Sequence, residues 1–278
     1  MMTAPLVAFA FVLGLVVGSF LNVCILRIPA QKSIAFPASH CPKCGKPIAP
    51  YDNIPVLSWL VLRGRCRGCK APISVMYPLV ELLTGALFAA CMVAFGPSLA
   101  AVKWAAFSAV LVVLAVTDLR ERILPDRVNL TGAILGLVAS ALVPVGDGTA
   151  LWLSRQMFDF PPPARALSVC DAILGAVAGA GVLWMFAEGY FRLRGHEGMG
   201  LGDVKMMGMA GTFLGTKAVL LTIMAGAVLG SIIGLAFMLL QRKESDYELP
   251  FGLFLAAGGL VAVFFGPPLI TWYFSRLA

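Results

Sequence analysis

Long apolar runs with almost no charge inside them dominate this chain, and roughly 20 such residues are what a helix needs to cross a bilayer. They lie at about Pro5–Leu26, Leu79–Phe95, Leu99–Thr117, Val128–Val143, Leu167–Phe191, Val219–Leu240 and Phe251–Phe274. A shorter stretch, Val204–Gly215, is an eighth candidate. The chain is 60% hydrophobic and only 13% charged, against about 45–50% and about 25% for a soluble domain. Too few charges remain to cover a water-facing surface, which excludes a soluble enzyme, a disordered tail and a secreted disulfide scaffold. The expected fold is all-α, a polytopic membrane bundle of about eight spans.

Nothing basic precedes the first run, and it is longer than the core of a cleavable signal, so a retained span with its N-terminus outside is expected. With that orientation sixteen of the 21 Lys and Arg fall on the inner side, including Arg27, Lys43, Arg120, Arg192, Arg242 and Lys243. Lys103, Arg155, Arg165, Lys217 and Arg276 are left outside. The asymmetry is a positive-inside signal, so the net charge of +7 reports topology first and attraction to anionic lipids second. No basic stripe with interleaved aromatics points to nucleic acid. Three regions follow: a first span at 1–26, a polar cytoplasmic loop at 27–77, and a membrane-embedded core at 78–278. Gly146–Ala166, with Pro161-Pro162-Pro163, reads as an irregular outer loop.

The inner loop holds Cys41-Pro-Lys-Cys44 and Cys66-Arg-Gly-Cys69. Two such pairs suit one tetrahedral thiolate site, and hence structural zinc. Disulfides are disfavoured on the cytoplasmic side, and a redox centre needs only one pair. Gly45 and Gly68 suit tight turns around the sulfurs. Cys24, Cys91 and Cys170 lie in or beside spans and read as packing residues.

Acidic residues in spans are expensive and therefore informative. Glu81, Asp171 and Glu188 sit near span ends, where capping or ion pairing accounts for them. Asp118 ends the third span and Asp203 follows Gly198-Met199-Gly200-Leu201-Gly202, and the topology sets both at the cytoplasmic boundary. Two carboxylates that converge there share a proton, which is what aspartyl proteolysis requires. Gly200 and Gly202 strip side chains from beside Asp203, leaving room for a second backbone or an extended peptide. The plainer alternatives are a helix cap for Asp203 and pairing with Arg120 or Arg122 for Asp118.

At these residues the chain resembles the bacterial prepilin peptidases (type 4 prepilin leader peptidase/N-methyltransferases), among the GxGD membrane aspartyl proteases. The likeness runs in order through Gly18-Ser19-Phe20-Leu21-Asn22-Val23, Arg27, Pro29, both cysteine pairs with Asn53-Ile54-Pro55 and Ser58-Trp59 between them, and Tyr77-Pro78-Leu79-Val80-Glu81-Leu82-Leu83. It continues through Asp118-Leu119-Arg120, Pro125-Asp126, Gly198 to Lys205 and Leu249-Pro250-Phe251-Gly252. The resemblance implies that Asp118 and Asp203 are the catalytic pair. It implies a bacterial inner-membrane enzyme that cuts the basic leader from prepilins of type IV pili, or pseudopilins of type II secretion, after a Gly. It also implies methylation of the new N-terminus, usually a Phe, with S-adenosylmethionine as donor. No pattern reads as the donor's site, and Ile73-Ser74-Val75-Met76 departs from the family's Gly-Lys or Arg-bearing stretch. The competing readings are a peptidase without methyltransferase activity, and a membrane transporter or assembly scaffold whose zinc loop is a docking module.

Overall fold

The computed structural model describes residues 4–157, 162–196, 198–241 and 250–276. Pro161, Arg242, Lys243 and Leu249, which entered the sequence reading, lie outside these. Among the described residues the regular structure is helical, apart from two isolated bridges in the cysteine loop. Among the described residues six helices are long and apolar enough to cross a membrane, as a polytopic membrane bundle requires. It divides into two compact units, Met1–Val113 and Leu114–Ala278.

In the first unit, α1 (Ala4–Arg27) packs on α3 (Met76–Phe95). Small residues make this crossing close, as helices in lipid require. A Cβ at Gly14 would stand 2.7 Å from the Gly85 Cα, and one at Gly18 would stand 2.7 Å from the Glu81 Cα. The Asn22 amide donates to the Tyr77 carbonyl at 3.1 Å and ties the end of α1 to the start of α3. Between the two helices, the loop holds a 3-10 turn at Pro50–Asn53 and a short α2 (Leu57–Val61). Helix α4 (Leu99–Glu121) carries the chain onward.

The second unit contains α5 (Asp126–Leu142), α6 (Thr149–Met157), α7 (Ala164–Arg194), α8 (Leu201–Gln241) and α9 (Phe251–Ser275). Helix α8 is two helices joined where Gly215 takes φ 77° and ψ −177°. The break falls at the end of the expected Val204–Gly215 stretch. With the 17-residue α5, the apolar helical segments correspond to the runs read from sequence. Asp147 seats the second half of α8: its carboxylate accepts the Thr216 and Lys217 N–H groups at 3.3 and 3.1 Å.

Helix α6 corrects the expectation of an irregular outer loop. Its first turn is capped by Asp171 of α7, which accepts the Gly148 and Ala150 N–H groups at 3.3 and 2.6 Å. Ala150 and Ser154, one turn apart, are its buried face. Asp171 therefore caps a neighbouring helix, not its own, and Glu188 pairs with Arg192 one turn along α7 at 2.7 Å. Cys24 and Cys91 are buried as expected, but Cys170 is exposed. It lies off the α7 stripe of Ser168, Asp171, Gly175 and Gly179 that packs inward.

That stripe meets α8 with no room to spare. A Cβ at Gly211 would overlap the Gly175 carbonyl, and one at Gly175 would overlap the Gly211 oxygen. Since backbone cannot move as a flexible side chain does, Gly211→Ala should destabilise the second unit by about 3 kcal/mol or more. Thermal unfolding in detergent checks this. Gly181→Ala, where the added methyl meets open space, should be silent.

Candidate active site

Asp118 lies in the last turn of α4 and Asp203 in the first turn of α8, and both are buried, with 6% and 9% of their surface exposed. The fold brings them near enough for the Asp118 charge to act on Asp203. Asp118 is held by the start of α9: its Oδ2 accepts the Leu253 N–H at 3.2 Å, and the Gly252 N–H also binds the carboxylate. Those are donors that a helix start leaves without intrahelical partners. Two helix N-termini, of α8 and α9, thus bring partial positive charge to one acid pair. Helix α5 begins at the same place, where Asp126 binds Lys205 of α8 through both oxygens at 2.8 Å. That pair is exposed and contributes at most about 1 kcal/mol.

The helix-cap alternative for Asp203 does not fit, because α8 starts two residues earlier at Leu201. Arg122 does bring its charge to Asp118. Gly202 acts differently from the expectation. The space beside Gly202 is filled by Leu124, whose Cβ would stand 3.0 Å from an added methyl, while a methyl on Gly200 would meet Asp203 Oδ2 at an ordinary 3.6 Å. The tighter glycine is Gly252, where a Cβ would lie 2.9 Å from Asp118 Oδ2 and 3.0 Å from Leu124. Gly252→Ala should push the Asp118 carboxylate off its N–H donors. A displacement of this size costs up to about 10²-fold in rate, so peptide-bond cleavage should fall at least tenfold while unfolding temperature stays near wild type.

In the first unit, Cys41, Cys44, Cys66 and Cys69 bring their sulfurs within 4.8 Å of one another. Cys41 and Cys69 stand 3.8 Å apart, and tetrahedral zinc–sulfur bonds of ~2.3 Å imply about 3.8 Å between ligands. Each pair is a small knuckle: the Cys41 N–H donates to the Lys46 carbonyl at 2.9 Å and the Cys66 N–H to the Ala71 carbonyl at 2.8 Å. Gly45 and Lys70, at matching places, take φ of 68° and 59°. The second left-handed residue is thus Lys70, not Gly68. Gly68 is needed for closeness, since a Cβ there would meet the Lys46 side chain at 3.2 Å and two sulfurs at 3.9 Å. N–H groups of Cys44 and Lys43 hold the Cys41 thiol down at about 6, and those of Cys69 and Gly68 lower Cys66. At Cys69 the Ala71 N–H pulls downward, but burial and the neighbouring sulfurs win and push it to about 11. A divalent cation would take the place of that last proton. The donor set and spacing fit a metal ion.

Comparison with known proteins covers both parts of the chain. Residues 12–95 match the bacterial peptidase A24 N-terminal domain, and residues 105–235, which include both aspartates, match the type IV leader peptidase family. The chain belongs to the type IV leader peptidase family. It is 36% identical to the prepilin leader peptidase/N-methyltransferase of Burkholderia pseudomallei (strain 1026b), over 96% of this chain and 87% of the relative. It is 34% identical to the enzyme of that name from Aeromonas hydrophila, over 97% and 94%. For that of Myxococcus xanthus (strain DK1622) the identity is 38%, over 98% and 73%. No solved structure matches the chain.

For a leader peptidase, two parts of the site went unread in the sequence. Pro250-Phe251-Gly252 carried only resemblance, although Pro and Gly ahead of an apolar run mark a helix start. Its role as the seat of Asp118 is visible only once α9 is placed. Asp126 and Lys205 were likewise motif letters, and the fold makes them partners.

Proposed function

We propose that this leader peptidase removes the leader from type IV prepilins or pseudopilins, cutting after a Gly at the cytoplasmic face of the inner membrane. It then methylates the new N-terminus with S-adenosylmethionine as donor. The names of the relatives support both activities, and the observation that carries the chemistry is the buried pair Asp118 and Asp203 at the meeting of three helix starts. The ionised carboxylate takes a proton from water as the water attacks the peptide carbonyl, and its protonated partner hydrogen-bonds the developing oxyanion. Asp118 is the member fixed by backbone donors. Gly200 and Gly202 support this arrangement, Gly202 by seating Leu124.

Cys41, Cys44, Cys66 and Cys69 would hold a structural zinc that folds the 27–77 loop, as closed four-thiolate sites do. The sixteen-to-five charge split supports an N-terminus outside and a loop and acid pair inside, in contact with anionic lipids. Inside-out membrane vesicles carrying the protein should cleave added prepilin, and right-side-out vesicles should not. Cleavage by right-side-out vesicles alone would overturn the orientation, and cleavage by neither would overturn the function.

A further inference from the structure

Between the two cysteine pairs, the segment 50–62 turns its apolar side outward. In α2 the Trp59 side chain faces inward, its ring against Gly64 and its N–H on the Ile73 carbonyl. Leu57, Leu60 and Val61 lie on the opposite face at i, i+3 and i+4, and they are 60%, 57% and 76% exposed. Tyr51 and Ile54, also exposed, extend this patch. A contiguous apolar face of this kind marks a surface that meets a partner or a membrane.

Two observations point to lipid. The first is where the patch lies. Ile54 and Pro55 share a groove with Val16 and Phe20 of α1. Those two belong to the exposed stripe Phe9, Val12, Val16 and Phe20, on the side of this membrane-length helix away from the Gly14 and Gly18 that meet α3. At 1.5 Å per residue Val16 is about 16 Å from Arg27 at the end of α1, so the patch continues the apolar side of α1 at the depth of the acyl chains. Its backbone is equipped for that depth, where an unpaired N–H is expensive. Pro50 and Pro55 have no N–H. The Asp52 N–H donates to the Ala49 carbonyl at 2.8 Å, that of Ile54 to Ser58 Oγ at 3.0 Å, and that of Ser58 to the Ile54 carbonyl at 3.1 Å. Val56 takes φ 61°, which a β-branched residue adopts only under constraint. Its N–H donates to the buried Glu81 carboxylate of α3 at 2.7 Å.

The second observation is charge. Residues 27–77 hold eight Lys and Arg against a single acid, so the whole net charge of +7 lies in this loop. The acid, Asp52, is taken by Arg67, whose guanidinium also lies 5.5 Å from the centre of the Tyr51 ring. Arg63 and Arg65 follow α2 directly and are exposed.

We propose that 50–62 is a re-entrant wedge that inserts Leu57, Leu60 and Val61 among the acyl chains while Arg63 and Arg65 bind the phosphates of anionic lipids. The cysteine module then lies on the bilayer and not free in water. Apolar insertion beside basic side chains is how interfacial segments hold a membrane. The lipid contact read from charge alone thereby gains a site, which stands apart from the cleavage and methylation readings.

The test uses the full chain in nanodiscs of phosphatidylglycerol and phosphatidylcholine in equal amounts, with one or the other lipid carrying a photoactivated diazirine in mid-chain. Mass spectrometry locates the adducts. Leu57, Leu60 and Val61 should be labelled together with the exposed stripe of α1, and at least about threefold more from phosphatidylglycerol than from phosphatidylcholine. Leu60→Asp with Val61→Asp, at exposed positions, should lower labelling of 57–61 at least about tenfold, with metal content and unfolding temperature near wild type. Arg63→Gln with Arg65→Gln should at least halve the lipid preference. Wild-type adducts confined to the membrane-length helices overturn the wedge, and so does labelling that survives the two Asp changes. Equal labelling from both lipids, or a preference unmoved by the two Gln changes, overturns the anionic site. Prepilin cleavage is measured on the same wild-type discs: cleavage without adducts at 57–61 sinks this inference alone, whereas adducts without cleavage sink only the functional reading.

Discussion

Asp118→Asn and Asp203→Asn should each lower prepilin cleavage by at least about 10³-fold, within the range that loss of positioned acid–base catalysis produces. The substitution is nearly isosteric. In the Asp118→Asn protein the side-chain amide carbonyl still accepts the Gly252 and Leu253 N–H groups that the carboxylate accepts in wild type, so the start of α9 keeps its anchor. What disappears is the exchangeable carboxyl proton that the chemistry passes between the pair. Membrane insertion, unfolding temperature and the metal held by the cysteines should match wild type. Initial rates on a purified prepilin measure the effect, and a loss smaller than tenfold in either variant would remove that residue from the catalytic pair. A transport role for the same acids predicts the opposite pattern, with cleavage intact.

Cys41→Ser or Cys69→Ser should take the protein from about one zinc per chain to almost none. The loop that these cysteines gather has little buried apolar surface: within 28–75, Cys41 is its one buried hydrophobic residue. Its tertiary ties are few: the Asp52–Arg67 pair, with Arg67 Nη2 donating at 2.6 Å, the Trp59 N–H to the Ile73 carbonyl at 3.1 Å, and the Val56 N–H to Glu81 of α3 at 2.7 Å. Metal binding worth about 10–16 kcal/mol in small zinc modules is then most of what folds it. The variants should be cut by protease within 28–75 while Cys170→Ser, changed at an exposed site on α7, is not. Elemental analysis with limited proteolysis reads both, and equal metal content in wild type and variant would refute the assignment. Since the aspartates belong to the other compact unit, methylation should fall further than cleavage.

The parts of this molecule that were legible in its sequence are those fixed by local chemistry. Apolar length marked the helices, and C-x2-C pairs predicted a single four-sulfur cluster. Acids at the ends of two apolar runs suggested that Asp118 and Asp203 interact, and in the fold the Asp118 charge acts on Asp203. What stayed hidden depends on contacts between segments far apart. The seat that Gly252 and Leu253 give Asp118 appears only when α9 folds back on the end of α4. Asp171 caps α6, which no pattern within Thr149–Met157 announces because its cap comes from another helix. The likeness of Cys41-Pro-Lys-Cys44-Gly45-Lys46-Pro47-Ile48 to Cys66-Arg-Gly-Cys69-Lys70-Ala71-Pro72-Ile73 was present in the letters, but its meaning, two knuckles with the same left-handed turn, needed backbone angles. A strained Val56 over Glu81 is likewise invisible in sequence, since nothing in Pro55-Val56 demands a positive φ.

The most direct test of the central claim is the intact mass of a prepilin after incubation with this protein in proteoliposomes, with and without S-adenosylmethionine. The expected result is loss of the leader after its Gly in both cases, and one added methyl group only when the donor is present. Prepilin recovered at full mass, from a preparation with intact metal content and a wild-type unfolding temperature, would contradict it.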